Sequence, residues 1–164
     1  MSSKPNGLRI APAEPCHLPL ILTFIRKLAE FEKLLDHATA DEESLRRSLF
    51  GPERVADVVL AWWEEEPAGF AVYFRNFSTF LGRPGIYLED LFVEPAHRGR
   101  GVGTALLQYL ARVAKESSAG RLEWAVLDWN QPAINFYRRL GAVPMHDWTI
   151  FRVTGEALDR LAGE

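Results

Sequence analysis

The chain has 164 residues, of which 48% are hydrophobic and 25% charged, and its formal net charge is −3. That make-up is the one expected of an ordinary globular domain with a single sizeable core, and it excludes the charge excess of disorder and the apolar excess of a membrane chain. The acidic balance argues against a general nucleic-acid binder, which needs clustered Lys and Arg against phosphates, while it permits a cationic small substrate.

Cys16 is the single cysteine, so an intrachain disulfide and a multi-cysteine zinc site are ruled out, and no metal site is expected. Residues 1–6 are polar and lack the apolar core of a secretory signal, and no run approaches about 18 apolar residues. A cytoplasmic location with no membrane partner is the expectation. No repeat, low-complexity block or long linker marks a boundary, so residues 1–164 read as one domain.

In chain order, residues 8–11 read as a short first strand. Over residues 18–35 the apolar Ile21, Leu22, Ile25, Leu28, Ala29 and Phe31 recur at near-helical spacing, with Arg26, Lys27 and Glu30 off that face; this predicts an amphipathic helix. A shorter helix is predicted over 42–49, stopped by Gly51-Pro52. Residues 55–63 and 68–74 carry strand patterns around the turn at 64–67, which makes a hairpin. Residues 86–93 form another apolar strand, interrupted by the adjacent carboxylates Glu89 and Asp90. A helix follows, with Leu106, Leu107, Leu110, Val113 and Ala114 on one face. A strand over 122–127, a helix over 131–140 opened by Pro132 and closed by Gly141, and a last strand over 149–153 complete the pattern. Strands alternating with helices after a hairpin indicate an α/β or α+β sheet of mixed direction.

Between the strand ending at Val93 and the next helix lies His97-Arg98-Gly99-Arg100-Gly101-Val102-Gly103. A strand that reaches a helix N-terminus through glycines exposes backbone N–H groups at the positive end of the helix dipole, an arrangement suited to phosphate. The loop lacks the Gly-Lys-Ser/Thr ending of a P-loop and the spacing of the dinucleotide fingerprint. By spacing alone it also reads as a tight turn with solvated arginines. Arg98-x-x-Gly101-x-Gly103 directly after Leu91-Phe92-Val93, however, resembles the acetyl-CoA pyrophosphate loop of the Gcn5-related N-acetyltransferase (GNAT) superfamily. Asp128-Trp129-Asn130-Gln131-Pro132-Ala133-Ile134-Asn135-Phe136-Tyr137, followed by Leu140-Gly141-Ala142, resembles a second region of that superfamily. Leu28-Ala29-Glu30-Phe31-Glu32-Lys33 and Tyr87-Leu88-Glu89-Asp90 make the chain similar to its diamine and thialysine acetyltransferases, over a core of about residues 8–161.

The resemblance implies a mostly antiparallel central sheet flanked by helices, with splayed fourth and fifth strands between which the pantetheine arm of acetyl-CoA lies like an added strand. By the same mapping Leu91, Phe92 and Val93 contact that arm, and Arg98, Gly99, Arg100, Gly101, Val102, Gly103 and Thr104 surround the pyrophosphate. Asn130, Ala133 and Tyr137 then lie along the cofactor. Acetyl transfer to an amine needs a base, oxyanion stabilisation and a proton for the departing thiolate. Glu89 is the candidate base and Tyr137 the candidate acid, although Glu89 also reads as a surface carboxylate paired with an Arg, and Tyr137 as a packing tyrosine. Phe31, Glu32 and Glu89 are the candidate contacts to the acceptor amine, and Lys33 resembles the thialysine branch. Asp90 and Asp128 read as structural. His17, His37, His97 and His146 read as surface or capping residues rather than metal ligands. The expected activity is acetyl transfer from acetyl-CoA to a primary amine of a small molecule (diamine, thialysine-like amino acid or polyamine), in a homodimer. A protein or peptide N-acetyltransferase and a non-catalytic CoA-binding module are the alternatives.

Overall fold

A computed structural model describes residues 5–164. Two compact units divide the chain, Met1–Ala125 and Val126–Glu164.

The first unit is built on a five-stranded sheet in the order β1 (Leu8–Pro12), β2 (Asp57–Trp63), β3 (Glu66–Ser78), β4 (Arg83–Val93) and β5 (Leu122–Trp124). The first three pairings are antiparallel and the last, β4 with β5, is parallel. This is the expected mixed, mostly antiparallel sheet. It is flanked by α1 (Leu18–Phe31), α2 (Glu42–Phe50) and α3 (Val102–Glu116).

Alternation along the strands sorts the apolar side chains onto two faces. Val58 and Leu60 of β2, Phe70 and Val72 of β3 and Phe92 of β4 meet Ile21 and Phe24 of α1 and Leu49 of α2 in one buried cluster. The Phe24 ring lies 5.3 Å from that of Phe70 and 5.8 Å from that of Phe92, spacings at which tilted aromatic pairs attract. The intervening Val59, Ala61 and Ala71 are equally buried, on the other face, where α3 contributes Leu106 and Leu110. Both faces of the central strands are therefore covered, which explains their near-continuous apolar sequences.

The first helix is shorter than its apolar periodicity suggests. Lys33 takes a left-handed conformation (φ 59°). The Lys33 N–H donates to the Glu30 carbonyl, and the Leu34 N–H reaches back to the carbonyl of Ala29. This Schellman-type closure satisfies the last carbonyls and turns the chain away after Glu32. Its cost, roughly 1–2 kcal/mol for a non-glycine residue, falls beside the candidate acceptor site. The second helix begins at Asp41, whose carboxylate accepts from the Ser44 N–H at 2.8 Å while the Ser44 hydroxyl accepts from the Asp41 N–H at 3.2 Å. Hydrogen bonding from Ser44, by its backbone N–H first and then its side chain, holds the Asp41 carboxyl below its usual pKa.

The second unit contains α4 (Gln131–Arg139) and α5 (Glu156–Ala162). The helix α5 is not among the elements that the sequence pattern predicts. The strand expected over residues 149–153 does not form, and the one expected over 122–127 stops at Trp124. Alternating apolar residues permit a strand, but only a partner supplies its ladder hydrogen bonds, and residues 149–153 have no ladder. Among the described residues no helix is long and apolar enough to cross a membrane.

Candidate active site

Two features of β4 set it apart from an ordinary interior strand. Opposite Val72 and Tyr73 of β3 stand Asp90 and Leu88, so Glu89 is an extra residue in a β-bulge. Bulges free backbone groups from the ladder and re-aim side chains, and they concentrate near active sites. In addition, β5 pairs only with Ile86, Tyr87 and Leu88. From Glu89 to Val93 the β5 side of β4 has no ladder partner among the described residues, although β3 continues alongside to Gly69. That open edge begins at the two carboxylates.

At the end of β4 a short 3-10 turn, Pro95–His97, leads into the glycine loop. Gly99 (φ 72°) and Gly101 (φ 81°) both take left-handed conformations that only glycine adopts without strain. Gly101 is the N-cap of α3, and no side chain of the described residues caps the helix there. The first N–H groups of α3, from Val102, Gly103 and Thr104, are thus available to an anion at the positive end of a 15-residue helix. The Arg98 Nε donates to the Val93 carbonyl at 2.9 Å. Its guanidinium lies 5.2 Å from the Phe31 ring centroid and 5.8 Å from that of Phe92. Arg98 therefore ties the loop to the strand and to α1, and one cation already sits against Phe31.

Between α1 and β4 lies a pocket of about 160 Å³. Ile25, Leu28, Ala29, Leu34 and Ala38 give it apolar walls, and Glu32, Asp90 and His37 are its polar lining. Glu32, the C-cap of α1, is partly buried, and burial raises its carboxyl pKa. Asp90 is pushed up to about 6, first by burial and then by the charges of Glu89 and Glu32. A carboxylate whose ionisation is disfavoured by burial and by neighbouring negative charge is stabilised by any cation placed beside it. Asp90, which the sequence pattern assigns a structural role, therefore lines the pocket, whereas Glu89 is exposed on the bulge and acts on Asp90 by its charge. The adjacency of two carboxylates in an apolar strand was the signal; the sequence could not say which of them faces the cavity.

Phe92 is buried in the core, while Leu91 and Val93 are only partly so. His97 is buried rather than superficial, at 6% exposure. His17 accepts from the Glu14 N–H at 2.9 Å, a capping role. In the second unit Asn130 caps α4, accepting from the Ala133 N–H at 3.4 Å. One helical turn on, the Tyr137 ring packs 5.4 Å from that of Phe136. Asn130, Ala133 and Tyr137 are thus brought together on one short helix. No group of three or more His, Cys, Asp or Glu among the described residues could hold a metal ion.

A mixed sheet with a bulged, half-open fourth strand that runs into an uncapped, glycine-led helix defines a class of group-transfer enzyme. The profile of the acetyltransferase (GNAT) family matches residues 22–142, and the chain belongs to that family. It is an N-acetyltransferase. It is 40% identical to the thialysine N-epsilon-acetyltransferase of Bos taurus over 155 residues, 88% of this chain and 91% of the relative. It is also 40% identical to the L-ornithine N5-acetyltransferase of Arabidopsis thaliana over 115 residues, 70% of this chain and 47% of that protein. Among solved structures, an integron cassette protein from V. cholerae superposes with a TM-score of 0.81 at 27% identity, covering 96% of this chain and 99% of its own.

Proposed function

We propose that the protein transfers an acetyl group from acetyl-CoA to a primary amine of a short diamine or a thialysine-like amino acid. The observation that carries this reading is the pocket between α1 and β4, where Glu32 and Asp90 line an apolar cavity at the start of the open β4 edge. Methylenes would lie against Ile25, Leu28 and Leu34, and an ammonium would relieve the repulsion between the carboxylates. Relatives named for thialysine and L-ornithine support an acceptor of this length.

The cofactor fits the residues present. Val102, Gly103 and Thr104 offer free N–H groups for a pyrophosphate, Gly99 and Gly101 admit it closely, and the edge from Glu89 to Val93 can take an extended arm as an added strand. Acetyl-CoA, when bound, would supply the acetyl group as a thioester, whose carbonyl carbon would form a C–N bond with the neutral acceptor amine as the C–S bond breaks and CoA leaves as the thiolate. Glu89, on the bulge, holds the proton that the amine gives up, directly or through water. Tyr137 holds the proton that the thiolate takes. Asp90 and Glu32 orient the acceptor. The same reading includes homodimeric assembly, which light scattering tests.

The deciding experiment follows thiol release from acetyl-CoA with a panel of short diamines, thialysine, ornithine, long polyamines and peptides. Turnover favouring the short amines is expected. Preference for a peptide N-terminus would mean a protein acetyltransferase, and absence of turnover with retained CoA binding would mean a binding module.

A further inference from the structure

The indole of Trp63 gathers both sides of the glycine loop. Trp63 is the last residue of β2, at the hairpin that leads into Glu66 of β3. The His97 ring stacks against it at a centroid distance of 6.3 Å, the two planes inclined by 29°. The Arg100 guanidinium stands 5.2 Å from the same indole centroid. The Glu66 carboxylate, on the far side of the hairpin, reaches the Nε2 of His97 at 3.5 Å. His97 precedes Gly99 and Arg100 follows it, so the two contacts bracket the most permissive backbone position of the loop.

We infer that Trp63 is a positioning residue for the acetyl-CoA pyrophosphate: it clamps His97 and Arg100 so that Gly101 and the first N–H groups of α3 are held ready before the cofactor arrives. The inference rests on the reading of Gly99–Thr104 as the pyrophosphate loop. Two glycines with left-handed φ leave a free loop many conformations to lose on binding. A platform that fixes the residues on either side of Gly99 removes much of that loss beforehand, which is how preorganisation raises affinity. Stacking of imidazole and guanidinium on indole is an attraction suited to this, because tryptophan is the best cation–π partner and its flat face tolerates sliding without release. Arg98, tied to the Val93 carbonyl, fixes the loop from its other side. Trp62, one residue earlier, points to the opposite face, where it meets His17 at 5.7 Å and Arg9 at 5.1 Å.

Trp62 is therefore the control. The test measures CoA affinity by calorimetry, together with KM for acetyl-CoA, KM for a short diamine and kcat, in Trp63→Leu, Trp63→Phe, Trp62→Leu and Gly101→Val. Trp63→Leu should weaken CoA roughly 10-fold, and Trp63→Phe should recover most of the loss. The acceptor KM, and kcat at saturating acetyl-CoA, should stay within about twofold of wild type, since neither depends on loop order once the cofactor is bound. Trp62→Leu should bind CoA as wild type does. Wild-type CoA affinity in Trp63→Leu, with affinity lost in Gly101→Val, would overturn the clamp and leave the loop assignment standing. Wild-type affinity in Gly101→Val would remove the loop assignment, and the clamp with it. Should Trp63→Leu fail to fold, His97→Leu takes its place: weaker CoA binding with an unchanged acceptor KM supports the clamp, and unchanged CoA binding overturns it.

Discussion

The two halves of the site proposed within the first unit are made of different material. The phosphate half, from Gly99 to Thr104, is backbone: left-handed glycines and the uncapped start of α3. The acceptor half, between α1 and β4, is side chain: Glu32, Asp90 and His37 against aliphatic walls. A backbone site recognises a group common to every CoA thioester and tolerates little change of residue. A side-chain site discriminates among acceptors and can be retuned one residue at a time. Binding of cofactor and choice of acceptor are accordingly separable, and substitutions in one half should leave the other intact.

The largest effect should fall on neither half. Tyr137→Phe removes only a hydroxyl, so kcat should drop roughly 10- to 1,000-fold with both KM values little changed. Unchanged turnover under conditions where chemistry limits the rate would dismiss Tyr137 as the acid. Gly101→Val comes next: a β-branched side chain at φ 81° is strained and would crowd the pyrophosphate, so CoA should bind about 100-fold more weakly. The acceptor KM, measured at saturating acetyl-CoA, should hold. A parallel loss in both KM values would break the separation of the halves.

Asp90→Asn tests the acceptor half and should raise the KM of cationic acceptors about 10-fold while sparing acetyl-CoA. The same change alters stability with a definite sign. Asp90 protonates near pH 6 in the folded chain and near 3.8 ordinarily, so between those values the folded chain binds the extra proton, and stability falls as pH rises through that window. The variant should therefore be more stable than wild type by about 2–3 kcal/mol at pH 8 and show no such gain at pH 4, as thermal melts can read. Wild-type acceptor KM should climb as pH drops below about 6, where Asp90 loses its charge. A flat profile, or a destabilised Asp90→Asn at pH 8, would return Asp90 to a structural role. The smallest effect is expected from Glu32→Gln, whose carboxylate is partly solvated: an acceptor KM raised about threefold to fivefold with acetyl-CoA untouched. Equal acceptor KM values would place Glu32 outside the site.

Local chemistry determined much of this protein from the sequence by itself. The glycine loop between strand and helix was legible because a left-handed turn and a helix N-terminus are properties of a few consecutive residues. Most elements of the first unit, and the mixed sheet they form, followed from apolar periodicity in the same way. What needed the tertiary structure were relations between residues far apart in the chain. The bulge at Glu89 arises from register with Val72 and Tyr73, so only strand pairing decided that Asp90 and not Glu89 lines the pocket. The α1 end is displaced from the expected residue 35 because Lys33 accepts a left-handed turn, which no apolar spacing encodes. His97 read as a surface residue because its cover, Trp63, lies 34 positions earlier. The strand expected at residues 149–153 had the right alternation but no ladder. Sequence fixes what each segment can become with its neighbours; which carboxylate is desolvated, and which ring carries a loop, depends on partners that only folding brings within reach.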